Sequence, residues 1–211
     1  MMSRFNRTSS ATFAMRFMGA ALMLVAASTV GAAEKAAASD VLPLPRNGFA
    51  CCNLHYEEDW ISDGNYAGLP MLPAGTPITV VSLGRHKAHI LINGNKMRLG
   101  HDYGRMQESL QAWIRKIVVD ADPTPRINGY PAEIQAAIKE GKVMVGMTRE
   151  QVIASIGAPL TSETPSLDTT VWRHWVSSFE EYQLRWGPDG TIAEVSGVDS
   201  VRDRMIHRPR N

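Results

Sequence analysis

Cysteine is nearly missing from the sequence, with two in 211 residues. Two thiols cannot build a disulfide-dense scaffold or a four-thiolate zinc site. Excess charge is missing as well: 22 basic residues stand against 21 acidic ones. Such a balance gives no basic surface of the kind that draws a nucleic acid, so no nucleic-acid partner is expected. The chain has no Gly-x-Ser-x-Gly elbow, no zinc-protease His-Glu pair and no phosphate loop with its Lys. No catalytic residue is therefore assigned, and no cofactor is expected.

Long apolar runs are confined to the N-terminus. Arg4, Arg7 and Arg16 are followed by an uncharged stretch from Phe17 to Ala33, which ends in small residues, Gly31 and Ala33 among them. Glu34-Lys35 then opens a polar segment. This pattern predicts a cleaved signal peptide over 1–33. As a membrane span the stretch is short and rich in Ala, Gly, Ser and Thr. It carries no cysteine at its end, and Cys51 is too far downstream to hold a lipid. Export without a lipid anchor is expected, to the periplasm or the periplasmic face of the outer membrane. Removing 1–33 takes three basic residues and no acidic one, which leaves a slightly acidic chain.

What remains divides into two parts. Residues 34–50 read as a linker, with small residues from Ala36 to Ser39 and then Pro43, Pro45 and Gly48. Residues 51–119 read as a β-rich domain closed by a helix. Pro77–Val81 is β-branched and follows a Pro-Ala-Gly-Thr turn, and Ala88–Ile92 is a second strand. Asn93-Gly94 is a hairpin signal because both residues accept positive φ, and Lys96–Leu99 returns the chain. The short strands suggest a small SH3-like meander. Leu110, Trp113, Ile114 and Ile117 share one face of a helix expected over Met106–Val119. Residues 120–130, with Pro123, Pro125 and Gly129, read as a second linker.

Residues 131–199 give the order helix, helix, strand, strand, strand. Pro131 opens the first helix and Gly141 ends it. Thr148, with Gln151 three residues on, has capping-box spacing for the second, and Gly157-Ala158-Pro159 stops it. Val171–Val176, Glu181–Trp186 and Thr191–Val195 are strand-like, and Gly187-Pro188-Asp189-Gly190 turns between the last two. The expected class is α+β, with two helices packed on a three-stranded antiparallel sheet. Residues 200–211 form a basic tail.

The wording Val145-Gly146-Met147-Thr148-Arg149-Glu150-Gln151-Val152, then Ile156-Gly157-Ala158-Pro159, resembles the SmpA/OmlA (BamE-like) domain. Ile138–Val143, Trp172–Trp175, Tyr182–Trp186 and Asp189–Val195 extend the likeness over about 132–197. The resemblance implies a non-enzymatic exported module that supports outer-membrane assembly or envelope integrity by contacting other envelope proteins. In two respects the chain departs from the family: it lacks the lipid-attachment cysteine, and a β-rich domain precedes the motif. The fold is also similar to that of small secreted inhibitors, which keeps a periplasmic binding or inhibitor module as the alternative.

Three groups of residues are candidates for a site. Cys51, Cys52 and His55 combine thiols with an imidazole, and Cys52 and His55 have ligand-like spacing for zinc or copper. The set is incomplete without His86, His89 or His101, so an oxidised or structural thiol is favoured over a metal or redox role, and no metal is assigned. His86 and His89 face opposite ways on a strand. His101-Asp102 is chemically apt for acid–base work, but sequence neighbours diverge, and the segment reads as a turn. Tyr182, Leu184 and Trp186 share one sheet face, expected to be the core. Of Trp172 and Trp175 one is then left on the open face with Arg173 or Arg185, so Trp172, Arg173, Trp175 and Arg185 are the partner-binding candidates. The tail from Val201 to Arg210 carries four Arg and one Asp. It reads as a terminus without fixed structure, with contact to anionic lipid headgroups as the functional alternative.

Overall fold

Alternating burial marks the strands of the first half. In β5 (Pro77–Leu83) Ile78 and Val80 are buried, and in β6 (Lys87–Ile92) Ala88, Ile90 and Ile92 are buried. The Asn93-Gly94 turn between β6 and β7 (Asn95–Gly100) has φ of +51° and +80°, the left-handed pair that a tight hairpin demands. The computed structural model describes residues 42–102 and 107–209. The expected signal peptide over 1–33 lies outside the described residues.

More strands form than local pattern predicts. β1 (Arg46–Ala50) occupies the end of the stretch read as a linker and pairs antiparallel with β5. β3 (Trp60–Ser62) pairs parallel with β7, and β8 (Val118–Val119) pairs with β1. The result is a curled six-stranded sheet in the order β3-β7-β6-β5-β1-β8. β2 (Leu54–His55) and β4 (Met71–Leu72) make a separate short ribbon. Helix α1 (Leu110–Ile117) starts later than expected because Ser109 caps it, its Oγ accepting from Ala112 N at 3.2 Å. Leu110, Ile114 and Ile117 turn into a core with Ile61, Ile78, Val80, Ile90 and Leu99.

The second half follows its predicted order. The 120–130 stretch is folded: it carries α2 (Thr124–Asn128), and Ile127 and Tyr130 pack on the second core. Helix α3 (Ala132–Lys139) is followed by α4 (Arg149–Ile156). Thr148 and Gln151 close the expected capping box, with Thr148 N donating to Gln151 Oε1 at 2.9 Å and Gln151 N to Thr148 Oγ1 at 3.4 Å. β9 (Val171–Ser177), β10 (Glu180–Trp186) and β11 (Ile192–Gly197) form an antiparallel sheet in the order β11-β10-β9.

Much of the expected tail is ordered. α5 (Asp199–Met205) buries Val201 and Met205, which stand four apart on one helical face. Val143 N donates to Met205 O at 2.9 Å, and His207 N to Val143 O at 2.8 Å, so the chain is pinned on either side of Ile206 as it leaves the helix. The described residues are thus α+β, with five helices and two hydrophobic cores inside one unit spanning 41–211.

Candidate functional site

The two cores meet along a seam built from Cys51 to His55. β1 ends at Ala50, the chain bends at Cys51 and Cys52, and β2 follows. Between them stands Asn53, 2% exposed. Its amide nitrogen donates to Ile138 O at 2.6 Å and Ser155 O at 2.9 Å, on α3 and α4, and its oxygen accepts from Ala74 N at 3.0 Å. Both donors are thus used, and they bind the second half to the first. Asn65 repeats the device: its nitrogen donates to Ile156 O at 2.9 Å and Asn53 O at 3.1 Å, while its oxygen accepts from His55 N at 2.7 Å. Gly157 closes the seam at φ +79°. A Cβ there would stand 2.9 Å from Asn65 Nδ2 and 3.7 Å from Cys52 Sγ.

Beside the seam lies a cavity of about 370 Å³ between α1, α4 and the 158–167 loop, lined among others by Cys51, Cys52, Asp63, Trp113, Ile153 and Pro159. Both thiols are free. Cys51 is half-buried and Cys52 is 1% exposed. Hydrogen-bond contact with the Cys51 thiol, together with burial, holds the Cys52 thiol well above the usual range.

His55 stands in the β2–β4 ribbon. Its Nδ1–H donates to Leu69 O at 2.8 Å, and the ring lies near Gly141 in the β2–β4 ribbon. Burial pulls its pKa down. Among the described residues no group of three His, Cys, Asp or Glu side chains is placed to hold a metal ion. The intervening Asn53 and Leu54 are held in the interior, and β2 carries the imidazole into its own ribbon.

His101 pairs with an acid, but not with its neighbour. Its Nδ1 is 2.6 Å from Asp63 Oδ2, and Asp63 Oδ1 accepts from Asp102 N at 3.2 Å. The Asp102 carboxylate instead accepts from Trp60 Nε1 at 2.6 Å and from Ser62 Oγ. Parallel pairing sets Ser62 opposite Gly100, which carries Asp63 to His101. The His101 ring also lies 5.5 Å from that of Trp113, at the cavity wall. His86 and His89 are both exposed.

On the second sheet, Trp172, His174 and Val176 of β9 and Tyr182, Leu184 and Trp186 of β10 point into the core. Trp172 is fully buried, with its ring 4.6 Å from that of Trp186, so it has no surface to offer a partner. His174 stacks on Tyr182 with ring centres 5.7 Å apart, and burial pulls its pKa down to about 3. The opposite face carries Arg173, Trp175, Glu181, Gln183, Arg185 and Glu194, an alternation of charge around one half-buried Trp. Arg173 pairs with Glu181 at 3.4 Å and Arg185 with Glu194 at 3.1 Å. Trp175 Nε1 donates to Glu163 Oε2 at 2.8 Å. At the tip of the β9–β10 hairpin Phe179 is 94% exposed. An isolated apolar residue in a Ser-Ser-Phe-Glu turn was its sequence signal, too short for a periodic pattern to register.

The three described arginines of the tail each pair with an acid. Arg202 pairs with Asp199 at 2.9 Å, Arg204 with Glu180 at 2.6 Å and Arg208 with Asp203 at 2.8 Å. Among the described residues no helix is long and apolar enough to cross a membrane. The chain matches no family model, no curated protein and no solved structure.

Proposed function

We propose that this is an exported, non-enzymatic cell-envelope protein that works by holding a partner protein on the open face of the β9–β11 sheet. The second half is read as an SmpA/OmlA-like module, and the first as an SH3-like barrel docked to it. The helix, helix, strand, strand, strand order and the antiparallel sheet support the former. The curl of the six-stranded sheet supports the latter. The observation that carries the functional reading is the open face itself: Trp175 among alternating arginines and glutamates, with exposed Phe179 at its end. An aromatic anchor ringed by charge of both signs suits a partner chosen by complementary charge.

The test is a crosslinking pull-down from isolated envelopes, with Phe179→Ala and Arg173→Glu beside the parent. Loss of the catch at unchanged melting temperature supports the proposal, and an identical catch from all three proteins contradicts it. A second reading, a binding module for a small molecule, is favoured by the cavity beside Cys51, whose size suits a compact ligand.

A further inference from the structure

We propose that Cys51 and Cys52 form a thiol–disulfide exchange site, in which Cys51 attacks a small disulfide entering the cavity and Cys52 resolves the adduct. The assignment is independent of the open sheet face. Three observations carry it. The bend after β1 places two free thiols side by side. Both line a cavity of about 370 Å³, Cys51 half-buried and Cys52 only 1% exposed. The cavity has apolar walls from Trp113, Ile117 and Ile153, and it also holds the Lys116–Glu108 ion pair, at 2.7 Å. Apolar walls with two acidic residues, Asp63 and Glu108, and two basic ones, Arg115 and Lys116, suit a compact disulfide that bears both ammonium and carboxylate groups.

The division of labour follows from accessibility and protonation. The thiolate is the attacking species, and an interior thiol whose proton is held tightly does not start the exchange. Cys51, having lost its proton to solvent, attacks one sulfur of the incoming disulfide RSSR. A Cys51–SR bond forms, the RS–SR bond breaks, and RS⁻ leaves to become RSH. Cys52 then gives up its proton and attacks the Cys51 sulfur, and the second RS⁻ leaves. The two protein thiols are oxidised to one disulfide, and the small disulfide is reduced to two thiols. Adjacent Cα atoms stand about 3.8 Å apart, inside the roughly 5.5 Å that ordinary bridges prefer. The product is therefore strained and readily reduced, as a reversible site requires.

The experiment uses the full chain, cystine as the probe and intact-mass spectrometry. The parent is expected to lose the mass of two hydrogens, retain no half-cystine and stay monomeric, and dithiothreitol should reverse the change. Cys52→Ala should keep one half-cystine on Cys51. Cys51→Ala should remain unlabelled while folded, as judged by circular dichroism. An unreactive parent, a parent that keeps half-cystine on Cys51, or a disulfide-linked dimer would overturn the proposal. The parent measurement alone decides this if either variant fails to fold.

Discussion

The seam at Asn53 and the open face of the β9–β11 sheet are built in opposite ways. At the seam a buried amide spends every donor and its acceptor on backbone groups from three distant segments. On the open face arginines and glutamates pair at the surface, side by side on neighbouring strands. Desolvation makes the first costly to break, whereas water and salt screen the second. The seam therefore carries cohesion between the halves, and the face is free to carry recognition.

The largest expected effect falls on the seam. Asn53→Leu removes the amide, orphans Ser155 O and Ala74 N and leaves Ile138 O with Gly141 N, at a cost of about 3 kcal/mol. Chemical denaturation should show that loss in the midpoint. An effect under about 0.5 kcal/mol would mean that the seam is held by apolar packing alone.

Next comes the layer beneath the open face. His174 is neutral in the fold with a pKa near 3, against 6.5 for the ordinary imidazole. Since the folded value is the lower one, the unfolded chain takes up the proton first. Stability is undiminished above about pH 6.5 and falls as pH drops toward 3, at about 1.4 kcal/mol per unit, or roughly 2 kcal/mol by pH 5. His174→Phe should flatten this slope between pH 6.5 and 5 in thermal melts, and an unchanged slope would place the titration elsewhere. The smallest effect belongs to the face itself. Arg185→Ala breaks an exposed pair with Glu194 and should move stability by under about 0.5 kcal/mol. A larger loss in a denaturation curve would blur the contrast between face and seam.

The same contrast explains what could be read from the sequence. Alternation along β9 and β10 separates Trp172 from Trp175, and the pleat alone puts them on opposite faces. The Asn93-Gly94 turn and the Thr148–Gln151 capping box are likewise local, because each motif contains its own partners. The seam was not legible. Asn53 looks like an ordinary polar residue beside two cysteines until α3 and α4 supply carbonyls from 85 and 102 residues away. The Asp63–His101 pair hid for the same reason, since it needs the parallel β3–β7 register. In the tail, four arginines outnumber the two buried residues Val201 and Met205, whose spacing is the helical signal.

The open face is proposed to hold a partner, with Trp175 as its anchor. The most direct measurement pairs two readouts on Trp175→Ala: the crosslinked catch from isolated envelopes and the melting temperature. The catch is expected to be lost while the melting temperature stays near that of the parent. An undiminished catch from a folded Trp175→Ala protein would contradict it.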